Sequence, residues 1–331
     1  MEKDIIMRIC VVAIGSFLLA LLIGRFLVPA LRKAKAGQTI KEDGPTWHMN
    51  KQGTPTMGGL MIIASIGLWT ILASIRMQEF SGLFVFAFAL VFGFIGFIDD
   101  LAKLKKKENT GLSAPAKFLL QLAAAIAFTV LLRCTGHLSP NLYIPFFNTS
   151  IILPFALYMV FAALVMVGTV NAVNITDGID GLCSGVTIPV ALFFTVVAAA
   201  WGYGTVACVA ASLVGALLAF LFYNFHPAKV FMGDTGSLFL GGMVCGLAFV
   251  LDIPLVLLFV GIIYIIETMS DIIQVLYFKA THGKRIFKMA PLHHHFELCG
   301  WSEKKLFVVF TVISLVGCIV AYFGILGKGA M

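Results

Sequence analysis

Asp99 and Asp100 are adjacent carboxylates at the end of the apolar run 84–98, and Lys103, Lys105, Lys106 and Lys107 follow at once. Two neighbouring acids repel each other, so the pair is comfortable only beside water, cations or a retained proton. Acids and lysines at the edge of an apolar run suit a divalent metal and a phosphorylated substrate. Two further acidic clusters recur at comparable boundaries. Asp177 and Asp180 lie three apart, each followed by glycine, in the stretch 171–182, which holds no Lys or Arg. That spacing puts both carboxylates on one face of a helical turn or around one tight turn, and a plain capping turn is the other reading. Asp234 sits between Gly233 and Thr235 just ahead of an apolar run, where it is either a third site acid or an N-cap. Phe231, in the same polar turn, is expected to be exposed and able to stack on a base.

The loop 281–297 holds four of the seven histidines, among them His293, His294 and His295, together with Lys284, Arg285 and Lys288. Imidazoles beside bases suit phosphate binding and proton transfer near neutral pH. Zinc is the weaker reading, because consecutive side chains cannot all aim at one ion. The segment 41–59 is so dense in glycine and proline that irregular backbone is expected, with Lys51 adding a charge that suits a phosphate. Glu267 and Asp271, one helical turn apart, fall inside an apolar run, where each charge costs roughly 2.5–3.5 kcal/mol on insertion scales. They read first as buried helix-to-helix hydrogen-bonding groups and otherwise as a proton or ion pathway.

The elements that must position these groups are membrane helices. The 331 residues are 60% hydrophobic and 12% charged, which excludes an ordinary water-soluble domain. Apolar stretches recur at 5–31, 57–75, 81–98, 115–133, 152–173, 183–201, 205–223, 236–251, 253–279 and 306–327. Each is long enough to cross a bilayer, although 236–251 is short and glycine-rich. The expectation is an all-α polytopic membrane protein of about ten transmembrane helices, one domain over 1–331. A small hairpin is expected within 134–151, remote from the acids. The first stretch runs past the apolar length of a cleaved signal peptide. Eighteen of the 23 Lys and Arg fall in one set of loops, which the positive-inside rule places in the cytoplasm, with both termini outside. All the acidic clusters share that cytoplasmic face. Seven cysteines without a CxxC pair read as packing residues.

The segments 53–59, Asp99-Asp100, 171–182, 227–237 and 291–297 together resemble the phospho-N-acetylmuramoyl-pentapeptide transferases of the polyprenyl-phosphate N-acetylhexosamine-1-phosphate transferase superfamily. The resemblance covers the whole chain with its motifs in order, and 291–297 resembles this branch rather than the GlcNAc-1-phosphate branch. It implies transfer of phospho-MurNAc-pentapeptide from UDP-MurNAc-pentapeptide to undecaprenyl phosphate, giving lipid I and UMP. It further implies Mg2+, ten spans with an active-site cleft on the cytoplasmic face, a homodimer in the membrane lipid of the bacterial cytoplasmic membrane, binding of uridine-containing nucleoside inhibitors, and no nucleic-acid partner. Asp234 matches the metal ligand, with Asp99 and Asp100 as the essential acidic pair and further candidate ligands; Asp99 matches the candidate base. Asn174 and Asp177 match residues lining the nucleotide-sugar cleft, and Lys51, Asp180 and Phe231 the uridine pocket. Thr56, Lys103, Lys117, Asn224, Gly233, Gln274 and the three histidines match residues at or near the cleft. His226 reads as ordinary variation. A sister transferase acting on UDP-GlcNAc is the nearer alternative. A multispan transporter using Glu267 and Asp271 near the midplane is the more distant one.

Overall fold

The structure is a computed structural model that describes residues 2–34, 51, 53–106 and 110–328. The expectations for 41–50, Gln52 and Lys107 lie outside the described residues. Helices α1 (Glu2–Lys33), α2 (Gly59–Met77), α3 (Ser81–Lys106) and α4 (Ala114–Cys134) lead to an antiparallel hairpin of β1 (Asn141–Ile144) and β2 (Thr149–Ile152). Helices α5 (Phe155–Thr176), α6 (Leu182–Ala200), α7 (Gly204–Asn224) and α8 (Gly233–Val250) follow. A 3-10 turn (Pro254–Val256) opens the last part, then α9 (Leu257–Val260), α10 (Ile262–Ala280), the short α11 (Leu292–Glu297) and α12 (Glu303–Ile325).

Nine of these helices are long and apolar enough to cross a membrane, and a bent pair makes a tenth span if it is counted as one. The expected span 253–279 is that pair: Pro254–Val260 and Ile262–Ala280 meet at 80°. The break falls at Gly261, which ends α9 and opens α10, and glycine is a poor helix former. The glycine-rich stretch is a full helix, α8, and it lies at the centre, almost wholly enclosed, while α1, α4 and α12 turn most of their apolar surface outward. An outward apolar surface faces hydrocarbon at no cost, whereas a central helix needs small residues so that neighbouring backbones can approach. Gly96 on α3 meets the Asp234 carbonyl of α8, and Gly59 on α2 meets the Gly236 Cα, with no room for a Cβ at either crossing.

The hairpin pairs Tyr143 with Ser150 and lies away from the acids, as expected. At that end Ser139 Oγ donates to Asp252 Oδ2 at 2.8 Å, and the Lys328 ammonium donates to the Asp252 carbonyl. The opposite end, where α3 and α5 finish and α8 begins, gathers Asp99, Asp100, Asp177, Asp180 and Asp234.

Candidate active site

The close crossing at Gly96 sets Asp100 beneath the first turn of α8. One carboxylate oxygen of Asp100 accepts the Asp234 backbone N–H at 3.1 Å. The other accepts the Thr235 N–H at 2.9 Å and the Thr235 hydroxyl at 2.6 Å. The residue preceding α8, Met232, has no side chain that can cap it, so a carboxylate from another helix satisfies the free amides and complements the helix dipole. Gly233 has φ of +73°, and a Cβ there would lie 2.6 Å from Asp100 Oδ2 and 2.7 Å from the Thr56 hydroxyl. Asp234 is therefore no N-cap, because Asp100 fills that place.

With its helix end already capped, the Asp234 side chain is free for the site. Its Oδ2 accepts from Lys103 at 3.0 Å and Lys117 at 2.7 Å, and its Oδ1 accepts from the Asn174 amide at 3.0 Å. The same amide of Asn174 donates to Ser237 Oγ at 2.7 Å. Asp99 accepts the Leu112 N–H at 2.8 Å and pairs with Lys103 at 2.7 Å. Oxygens from Asp99, Asp100 and Asp234 all lie within 4.8 Å of one another. Three carboxylates against two ammonium groups leave one negative charge in excess, and an oxygen-only donor set fits a hard divalent cation such as magnesium. Asp177, beyond the end of α5, lies within reach of this field. Burial first, then the charges of Asp234, Asp100 and Asp180, push its carboxyl well above the usual carboxylate range.

Asp180 is the hub of a neighbouring network. Its Oδ1 binds Lys51 at 2.8 Å, while Oδ2 accepts the Ala228 N–H and lies beside His226 Nδ1, both at 3.0 Å. Glu303, at the start of α12, takes the Asp180 N–H at 3.0 Å and Lys51 at 2.7 Å. Asp180, His226 and Glu303 form a second cluster with ligand atoms within 4.8 Å of one another, but Lys51 already supplies its cation. His226 and Glu303 also line a cavity of about 300 Å³ with Glu297, Leu298, Trp301 and Ser302. The segment carrying Thr56 folds onto the turn carrying Phe231. Phe231 N donates to Pro55 O at 2.8 Å, and Gly58 N and Gly59 N donate to Phe231 O and Met232 O at 2.8 and 3.0 Å.

Several expectations change here. Phe231 is half-buried rather than exposed, because its backbone is held on both sides by 55–58. The Asn224 amide is spent on the Gly181 N–H and the Val230 carbonyl, at 3.0 and 2.9 Å, so it joins two turns of the site. Gln274 is likewise spent on backbone, accepting from Ile286 and Phe287 at 3.1 Å each and donating to Phe287 O. The three histidines diverge: His293 is buried against Glu267, His294 pairs with Glu297 at 2.7 Å, and His295 accepts from Lys288 N at 3.1 Å. No candidate metal group among the described residues includes them. His226 is part of the Asp180 hub rather than ordinary variation; Glu267 is a buried helix-to-helix hydrogen-bonding group, as expected, here through His293; and Glu303 is a site-linked acid that local sequence did not single out. Glu303 follows Ser302, which caps α12, so it reads locally as a first-turn acid and nothing more.

The profile of glycosyl transferase family 4 matches residues 82–252, from α3 to just past α8. The first phospho-N-acetylmuramoyl-pentapeptide-transferase signature matches 51–63, the segment pinned against Phe231 and Met232. A phospho-N-acetylmuramoyl-pentapeptide-transferase of Clostridium acetobutylicum is 47% identical over 316 residues, 94% of this chain and 97% of that protein. One from Staphylococcus carnosus is 45% identical over 311 residues, 93% and 96% of the two chains. One from Caldanaerobacter subterraneus is 43% identical over 320 residues, 97% and 99% of the two chains. Along almost its entire length, and through the segment folded onto the carboxylate end, the chain belongs to the phospho-N-acetylmuramoyl-pentapeptide-transferase family.

Proposed function

We propose that the protein transfers phospho-MurNAc-pentapeptide from UDP-MurNAc-pentapeptide to undecaprenyl phosphate, releasing UMP and forming lipid I in peptidoglycan synthesis. The observation that carries this reading is the family signature 51–63 bound through its backbone to the turn that leads into Asp234. The donor is water-soluble and the acceptor phosphate hangs from a membrane lipid, so an anion-handling site at a helix-bundle end is where both can meet. The acids cluster at that end rather than along the bundle, which favours transfer over transport. In this reading the site faces the cytoplasm of a bacterial inner membrane, both termini lie outside, and the protein works as a homodimer.

The roles divide by what each side chain already binds. Asp234 would hold Mg2+, which when bound offsets charge on the diphosphate and stabilises the departing UMP. Asp100 is spent on α8, so Asp99 is the member of the pair free to take the acceptor's proton. Lys103 and Lys117 hold the carboxylates and the incoming phosphates in one place. Lys51, Asp180 and the Phe231 ring form the uridine pocket, which also receives nucleoside inhibitors. Radiolabelled UDP-MurNAc-pentapeptide and UDP-GlcNAc, each offered with undecaprenyl phosphate, test the assignment. Labelled lipid from the first donor alone is the expected result. Labelled lipid from UDP-GlcNAc alone makes the protein the sister transferase, and none from either defeats the reading.

A further inference from the structure

Glu267 lies on α10 just past the bend and is fully buried, with no cationic side chain on its own helix nearer than Lys279. Its Oε2 lies 2.9 Å from Nδ1 of His293, which is itself 1% exposed, and accepts the His293 backbone N–H at 3.5 Å. A carboxylate has only lone pairs to offer, so Nδ1 carries the hydrogen and the ring is fixed in one orientation. The other ring nitrogen, Nε2, has no hydrogen-bond partner among the described residues. It abuts Gly178, where a Cβ would collide with Nε2 and Cε1, so the turn and the ring occupy adjoining space. Gly178 stands between Asp177, beside the carboxylate cluster, and Asp180, the hub that holds Lys51 and Glu303. Burying a carboxylate and an imidazole here without full satisfaction is costly, and packing alone would be served better by an apolar pair.

We propose that Glu267 is a positioning residue of the transferase: it fixes His293, and the His293 ring holds the turn 177–181 where the nucleotide sugar needs it. This rests on the transferase reading, but its physical content is a chain of contact from α10 through α11 to the turn. Removing the charge of Glu267 frees the ring to reorient, and the turn loses the surface it rests on. Gly178 is required because any side chain would displace that ring.

The test is a double-mutant cycle in the full-length protein purified in detergent, reading UMP release, UMP binding and Tm for each variant. Glu267→Gln should lower kcat/KM at least about tenfold and weaken UMP binding, with Tm close to wild type. Glu267→Asp, which restores a carboxylate on a shorter arm, should recover part of both. In a His293→Gln background neither Glu267 change should add a further loss, because the two residues act along one path. Glu267→Gln working within twofold of wild type, or losses that multiply with those of His293→Gln, would overturn the proposal. If Glu267→Gln lowers Tm, the cycle is read with Glu267→Asp, and the same non-additivity decides. If neither nucleotide sugar is turned over by wild type, the transferase reading fails. The cycle in UMP binding then still decides whether Glu267 acts through His293.

Discussion

Adjacent carboxylates need not share a task, and Asp99 and Asp100 do not. Asp100 accepts three hydrogen bonds from the start of α8, whereas Asp99 meets one backbone amide and Lys103. Sequence placed the pair correctly but could not separate its members, since the division depends on Thr235, 135 positions away along the chain. In the proposed pocket the half-buried Phe231 ring stacks on uracil. Its stacking should contribute about 1–3 kcal/mol, so Phe231→Ala should weaken UMP binding roughly 5- to 150-fold and Phe231→Trp should keep most of it. Equal affinity of all three proteins would remove Phe231 from the pocket. Asp177 predicts a pH effect whose sign follows from its raised carboxyl. The folded protein holds that proton more tightly than the unfolded chain, whose carboxyl titrates near about 3.9. Stability from this group is thus present in acid and lost as pH climbs through the raised value. In EDTA, Asp177→Asn should raise Tm in mildly alkaline buffer and lose that advantage in acid. A Tm difference that stays constant across the range would contradict it.

At the scale of the elements, the close crossing of α3 and α8 is what makes the site. Gly96 lets the backbones approach until Asp100 reaches the α8 amides. Gly96→Ala should therefore lower both Tm and turnover sharply. Gly168→Ala on α5, where nothing stands within 4 Å of the added carbon, should be neutral or stabilising by up to about 1 kcal/mol through helix propensity. Thermal melts of the two proteins compare them directly, and similar losses in both would mean that the crossing is not the critical contact. Most helices were legible in sequence because membrane spans announce themselves by length and apolarity. The starts of α3, α6 and α7 fall within a residue of expectation. From its own residues the ninth span was legible as apolar but not as bent, because only Gly261 marks the break, whereas the family resemblance implied a bent ninth helix. Glu303 was missed, and Glu267 was legible as a buried hydrogen-bonding group but not as linked to the site, because their partners, Asp180 and His293, arrive through tertiary packing and leave no local pattern.

Across the whole molecule, the apolar bundle supplies the frame and one end carries the ionisable chemistry. The opposite end, with the hairpin and the Ser139–Asp252–Lys328 contacts, ties down the chain's far turns without sharing in that chemistry. In the proposed reaction Asp234, freed from capping by Asp100 and held by Lys103, Lys117 and Asn174, binds the magnesium on which phosphoryl transfer depends. The most direct measurement is UMP release from UDP-MurNAc-pentapeptide and undecaprenyl phosphate, titrated with Mg2+, for wild type and Asp234→Asn. Because Asp100 still caps α8, Asp234→Asn should fold with a Tm near wild type. Saturable Mg2+ activation of wild type is expected, with at least about a hundredfold loss in Asp234→Asn that added magnesium does not repair. Near-wild-type UMP release from Asp234→Asn at ordinary magnesium would contradict it.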